Sequence, residues 1–283
     1  PISSGAARTR RALAAGLQYA YLTIVCTVVL VPLVWMVVAS LTKGKLLSGV
    51  PLWPDFSKFS LEHYTYLFTY KSTSNAAFPD FVAAFLRSLT VAVVNTGAVV
   101  LLTTLTGYVF SRFRFAGRKP LLISFLLLQM FPSFMGMIAI FMIFRTFGWL
   151  NQPIYLVFIY AAGAVPYNTY LVRGYMRSIP ISIDEAATID GASRSKVFFR
   201  IMLPLATPII GFIAVNAFMA PWMDYMLPFQ LLNMQNQTVA IFLYRLTDPL
   251  ITLYYNPLNF MAGAIVLAVP ITHEDIEGVY AGL

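Results

Sequence analysis

The sequence holds two histidines, His63 and His273, and one cysteine, Cys26. The histidines lie far apart, without the spacing that metal ligands need. No Ser-His-Asp arrangement can be built on them. Cys26 sits in an apolar run, where a lone thiol acts as a small packing residue. No GxxxxGK[ST] phosphate loop and no GxGxxG fingerprint occur, so nucleotide hydrolysis is not expected of this chain. The polar chemistry collects in one stretch instead, RGYMRSIPISIDEAATIDGASRSKVFFR, at 173–200. Pro180 stops any helix entering it. Ser182 and Glu185 have capping-box spacing. Asp184 and Glu185 lie in a first turn, where carboxylates favour the positive helix end. Ala186, Ala187 and Ile189 supply a small apolar face. Gly191 is placed to end the helix in the left-handed conformation, and Ser193 to cap a second helix carrying Val197, Phe198 and Phe199. Such a folded helix–turn–helix either lies as an amphipathic surface element or docks in a partner's groove.

The rest of the chain must position this stretch, and its composition says where. Hydrophobic residues make up 59% of the sequence and charged residues 11%, against about 45–50% and about 25% in soluble domains. With a mean hydropathy of +0.75, disorder and a disulfide scaffold are excluded. The net charge of +8 sits in clusters between apolar runs, which suits topology signals and not a nucleic-acid surface.

A bilayer core of roughly 30 Å needs about 20 apolar residues as helix. Six candidates appear, at 17–41, 81–110, 120–144, 153–172, 201–219 and 257–272. The fold class expected is therefore an all-α membrane protein with six transmembrane helices. A cytoplasmic segment 1–16 precedes a membrane domain at 17–272, which contains the loop 173–200, and an atypical tail follows at 273–283. The first run is too long for a signal-peptide core and reads as a retained span. Arginine and lysine concentrate before the first run, at 112–119 and at 173–200, placing both termini in the cytoplasm. The outer loop 42–80, rich in Pro, Trp, Tyr and Phe, is expected to fold as short interfacial pieces. Pro132, Pro166, Pro208 and Pro270 would interrupt or kink spans, and Gly97, Gly107, Gly163 and Ala164 would let helices approach closely. Arg87 and Arg145 lie near outer span ends, where long cationic side chains reach the interface.

Glu185-Ala186-Ala187, then Gly191, then Ile201-Met202-Leu203-Pro204 resembles the EAA motif of the membrane permease subunits of ABC importers, including the Asp190-Gly191-Ala192 core. The stretches 111–118, 222–228 and 260–264 are similar to the carbohydrate branch, and the chain as a whole resembles the smaller, maltose-type subunit. The resemblance implies the type I ABC importer fold with a cytoplasmic coupling helix. Glu185, Ala186, Ala187, Asp190, Gly191 and Ala192 would contact an ATPase. It implies as partners a second permease subunit, two ATPase subunits that bind ATP and Mg, and an extracytoplasmic sugar-binding protein touching loops 42–80 and 233–256. No cofactor or metal is implied for this chain. It also implies residence in a bacterial or archaeal cytoplasmic membrane. Two places depart from the family. Arg87 stands where an asparagine is common, and Thr272 is followed at once by His273-Glu274-Asp275, about ten residues short of the usual last span.

For a sugar, aromatic faces and amides or carboxylates are needed. Asn216, Met219, Trp222, Asp224 and Tyr225 near the fifth span, with Asn168, Tyr160 and Tyr167 of the fourth and Gln129 of the third, could line a path near the midplane. Trp222 and Tyr225 fit an interfacial aromatic belt equally. The alternatives are a self-contained channel or secondary transporter, which the lack of acidic residues in the spans disfavours, and an ABC permease for a non-sugar solute.

Overall fold

The first apolar run forms α1, Ser4–Ser40, in a computed structural model. The structure describes residues 4–74, 76–130, 133–250 and 255–280, with side chains described over 13–74, 76–130, 135–250 and 255–268. Leu17, Leu22, Ile24 and Val28 on α1 are more than half exposed. In lipid such a surface costs nothing, because acyl chains are as apolar as leucine. Among the described residues there is no strand, only an isolated bridge between Thr42 and Phe59.

The remaining helices are α2 (Glu62–Thr69), α3 (Asp80–Arg112), α4 (Arg118–Gln129), α5 (Met137–Thr146), α6 (Leu156–Ser178) and α7 (Ile181–Ile189). They continue with α8 (Arg194–Val197), α9 (Leu203–Leu205), α10 (Thr207–Met223), α11 (Met226–Leu231), α12 (Val239–Thr247) and α13 (Pro257–Tyr280). Loop 42–80 folds as two 3-10 turns, Leu47–Gly49 and Phe56–Lys58, followed by α2.

The described residues divide into two compact units. The first takes the chain up to residue 69 with 246–266. Its centre is His63, 1% exposed. The His63 Nδ1 lies 2.7 Å from Asn259 Oδ1 and its Nε2 2.9 Å from the Thr42 carbonyl. One ring therefore satisfies the end of α1, α2 and the start of α13 together.

The second unit takes 70–245 and the chain from 267 on. Its core is the packing of α3, α6 and α10. Val99, Val172, Met176, Met202, Ala206 and Ile213 are almost wholly buried there. Buried polar groups tie the helices: Asn95 Nδ2 donates to the Ala217 carbonyl at 2.7 Å, and the hydroxyls of Thr106 and Thr169 meet at 2.7 Å. Bonds of this kind between membrane helices stabilise by about 0.6 kcal/mol each, up to ~2.

Of the expected small-residue contacts, Gly107 makes one. A Cβ there would lie 2.5 Å from Val172 Cγ1 and 3.2 Å from the Arg173 backbone nitrogen. Gly97 and Gly163 have nothing within 4 Å of that position, so neither permits a close crossing. Gly107→Ala is expected to destabilise the chain by about 1–3 kcal/mol, the range for overpacking. Thermal unfolding in detergent measures it, with Gly97→Ala as the variant that should leave the midpoint unchanged.

Among the described residues three helices are long and apolar enough to cross a membrane: Leu13–Ser40, Asp80–Arg112 and Pro153–Ser178. A fourth is available if Arg194–Leu205 and Thr207–Met223, bent by 75°, form one span. The expected third run is two short helices, α4 and α5, with a 3-10 turn at Ser133–Gly136 between them. Pro132 lies outside the described residues. The expected fifth run begins on a different axis. Phe198–Met202 is a π-helical turn, and Pro204 and Pro208, which lack a backbone N–H, flank the bend at Ala206. The fourth run extends beyond 172 to Ser178, so the segment 173–200 begins as helix. The last run does not stop at 272, since α13 spans 24 residues. At 1.5 Å per residue that is roughly 36 Å. Pro270 and Thr272 side chains, and those of the tail 273–283, lie outside the described residues.

Candidate functional site

The 173–200 segment folds as two short helices joined by a tight reversal. Pro180 sets its start, with φ −56° and ψ 136°, and α7 begins at the next residue. Ser182 therefore falls inside the first turn, no side chain caps α7, and the expected capping box does not form. The reversal is as expected. Gly191 has φ +79°. The Ala192 N–H donates to the Ala187 carbonyl at 2.9 Å, and the Gly191 N–H to the Thr188 carbonyl at 3.1 Å. That pair of bonds is the Schellman motif. Ser193 caps α8, its Oγ accepting from the Lys196 N–H at 3.4 Å.

What holds α7 in place was not visible in its own sequence. Arg112, the last residue of α3, makes an ion pair with Asp184. A guanidinium Nη of the same arginine donates to the Ile179 carbonyl at 3.1 Å and reaches the Met202 sulfur at 3.5 Å. One side chain thus gathers the end of α6, α7 and the π-turn. Around it, Tyr108 packs on Phe198 with ring centroids 4.8 Å apart, and Arg194 lies over the Phe113 ring at 5.2 Å. Ala187, Val197 and Phe198 are buried in the core of the second unit. Ile189, expected on the same face as Ala187, is 85% exposed. Two residues apart on a helix is about 200°, so both cannot face the core. Glu185, Ala186, Asp190 and Gly191 are also exposed, and Ala192 is half-buried. The hairpin is anchored through one side and bare on the other.

The second group lies at the far end of α10. Tyr160 donates to Asp224 Oδ2 at 3.1 Å, and Asp224 Oδ1 accepts from the Met226 and Leu227 N–H groups at 2.9 and 3.3 Å. Asp224 thus satisfies the first two N–H groups of α11 as well as holding Tyr160. They line a cavity of about 360 Å³ with Met137, Ile140, Ile159 and Leu227. Gln129 Nε2 donates to the Gly163 carbonyl at 2.9 Å. Trp222 is buried, its ring 5.2 Å from Phe85 and 5.7 Å from Phe218. Tyr225 stacks on Tyr244 at 4.9 Å. Asn216 is exposed and donates back to the Phe212 carbonyl at 2.7 Å, and Met219 is half-buried. Asn168 is buried within α6, whereas Tyr167 is exposed. So the fold joins Tyr160 to Asp224 and leaves Asn216, Trp222 and Tyr225 in separate surroundings. No group of three or more His, Cys, Asp or Glu side chains that could hold a metal occurs among the described residues.

Comparison with known proteins gives this geometry a lineage. The family described as binding-protein-dependent transport system inner membrane component matches residues 99–272. The chain belongs to that family. It is 35% identical over 265 residues to the galactooligosaccharides transport system permease protein GanQ of Bacillus subtilis (strain 168), covering 93% of this chain and 90% of that one. It is 36% identical over 272 residues to the maltodextrin transport system permease protein MdxG of the same strain, covering 94% and 91%. The crystal structure of a bacterial ABC transporter involved in the import of the acidic polysaccharide alginate shares the fold. Its TM-score is 0.74 and its identity 20%, over 96% of both chains. As an inner membrane transport component the permease is not itself an enzyme. The self-contained channel or secondary transporter considered from sequence is set aside. The residue that sequence reading missed is Arg112. In sequence it is a topology charge and part of the 111–118 stretch, and nothing local marks its pairing with a residue 72 positions on.

Removing the Tyr160 hydroxyl tests the second group. Tyr160→Phe is expected to cost about 1.5–3 kcal/mol, the value of a hydrogen bond to a charged group, and to lower the thermal midpoint. An unchanged midpoint would show that solvent replaces the hydroxyl.

Proposed function

We propose that this permease is one of two membrane subunits of an ATP-driven oligosaccharide importer, for galacto-oligosaccharides or maltodextrins. The observation that carries the coupling part is the α7 hairpin, whose Asp184 and Ala187 face inward while Glu185, Ala186, Ile189 and Gly191 are bare. In this reading α7 is the coupling helix. It seats in a cleft of an ATPase subunit, which binds ATP and Mg. Closure of two such ATPases moves α7, and the α3–α6–α10 core to which it is anchored rocks the pathway between inward and outward access. Support for sugar comes from the named substrates of the relatives GanQ and MdxG.

In this reading the chain crosses the membrane six times, through α1, α3, α4 with α5, α6, α8 and α9 with α10, and α13. Both termini are cytoplasmic, in a bacterial or archaeal membrane. A second permease subunit covers the exposed face of α10 that carries Asn216. That face, with Met219, Asp224 and Tyr225 around the end of α10, lies on or beside the sugar path, and the buried Trp222 and Asn168 support it from within the protein. A binding protein delivers the sugar on the side of loops 42–80 and 233–256.

Gentle purification from the native membrane, with co-purifying proteins identified by mass spectrometry, tests this. Recovery of an ATPase with a phosphate loop, a second permease and an external binding protein is expected. Ligand screening on that binding protein then names the solute. A transporting chain that purifies alone would sink the proposal, and a binding protein selective for a non-sugar would sink its substrate part.

A further inference from the structure

Three arginines from two helices converge at one end of α6 without a carboxylate between them. Arg173 and Arg177 are one turn apart on α6. The Gln129–Gly163 hydrogen bond fixes one end of α4 on α6, and the other end brings Arg118, the first residue of α4, into electrostatic range of Arg173. Arg173 Nε is enclosed and has no hydrogen-bond partner among the described residues, and its guanidinium stands 5.9 Å over the Tyr170 ring. Arg118 Nη1 donates to the Phe113 carbonyl at 3.2 Å. None of the three is ion-paired among the described residues. The start of α4 adds to the positive field. Its N-cap is Gly117, which offers no side-chain cap, and its first turn holds Lys119 and no acid. Beside the cluster, the space a Cβ on Gly174 would enter is open to 4 Å.

The depth of the cluster identifies what it meets. The apolar span containing α6, Pro153–Ser178, has 26 residues, or roughly 39 Å. With Pro153 placed at the opposite boundary, a hydrocarbon core of roughly 30 Å leaves about 9 Å, the last six residues, outside it. Arg173 is the first of those six. It therefore stands at headgroup level, where lipid phosphates lie.

We infer that Arg118, Arg173 and Arg177 form a binding site for the phosphate of an anionic phospholipid, on the membrane face from which α7 projects. The phosphate supplies the counter-charge that the protein omits, with guanidinium forks suited to phosphate oxygens. The site rests on the membrane placement of α6 and not on the sugar reading, so either can fail alone.

The test is native mass spectrometry of the full-length chain, purified in uncharged detergent and titrated with phosphatidylglycerol, phosphatidylcholine of the same acyl chains, or inorganic phosphate. The wild type is expected to retain phosphatidylglycerol about tenfold better than phosphatidylcholine. The Arg173→Gln/Arg177→Gln variant is expected to lose that preference. Arg114→Gln, an exposed cation outside the cluster, should keep it. If the double variant does not fold, Arg118→Gln alone should still weaken retention severalfold. Equal retention of the two lipids, unchanged retention in the folded variants, or displacement by millimolar inorganic phosphate would each overturn the site.

Discussion

A permease carrying Gly191→Asp is expected to reach the membrane in normal amount and to lose about tenfold or more of its transport. The structure separates two reasons for such a loss. Gly191 has φ +79°, and nothing lies within 4 Å of the position a Cβ would take. A Cβ there meets no atom of the described residues. What remains within the chain is backbone strain, about 1–2 kcal/mol for an ordinary L-residue and less for Asp or Asn. Strain alone therefore ranks Gly191→Ala as the more harmful change. Docking ranks them the other way. A bare carboxylate brought against a partner surface must be desolvated without a counter-charge, at a cost of several kcal/mol, while a methyl group is small. Sugar uptake by the two variants, normalised to membrane protein, decides between these. Gly191→Ala transporting worse than Gly191→Asp would remove the docking role from this turn.

The second large effect is expected at Arg112. Its side chain is 8% exposed and that of Asp184 18%. Breaking a buried pair by removing one partner costs about 3–5 kcal/mol, because a buried charge is left uncompensated. The partial exposure of Asp184 points to the lower end, ~3 kcal/mol for Arg112→Gln. Arg112→Gln also loses the bonds to the Ile179 carbonyl and the Met202 sulfur, so α7 loses its tie to α3. In the assembled importer, transport should fall further than the amount of folded protein, because the bare side of α7 no longer moves with the core. Arg112→Gln/Asp184→Asn removes both charges and should recover part of the stability. A double-mutant cycle on the thermal midpoint checks this. A coupling energy below about 0.5 kcal/mol, the limit at which distant sites simply add, would show that the two charges do not act as a pair.

These two positions differ in how they could be read. Gly191 and Ser193 are punctuation of local helices, so their conformations follow from a few neighbouring residues. The turn at 190–192 and the cap on α8 were accordingly legible from spacing. Ser182 was misjudged for an equally local reason. Pro180, already fixed in φ, takes the N-cap position two residues before Ser182, and the serine is carried into the first turn. Trp222 shows a different limit. Its type and place near a span end fit a pathway or an interfacial belt, yet the structure packs it against Phe85 of α3 and Phe218 of its own helix.

The apolar runs by themselves determined that the chain is a helical membrane protein and roughly where its long helices lie. In a hydrocarbon environment backbone groups must be satisfied within the segment, which ties composition directly to helix. The motif spacing at 185–204 likewise determined the family. Only the tertiary structure decided which side of α7 is anchored, that Arg112 does the anchoring, and that Tyr160 and Asp224 meet. It also decided that the fifth run bends by 75°. Those pairings join residues tens of positions apart. They depend on how α3, α6 and α10 pack, and the periodicity of one helix does not name the residue of another helix that it meets.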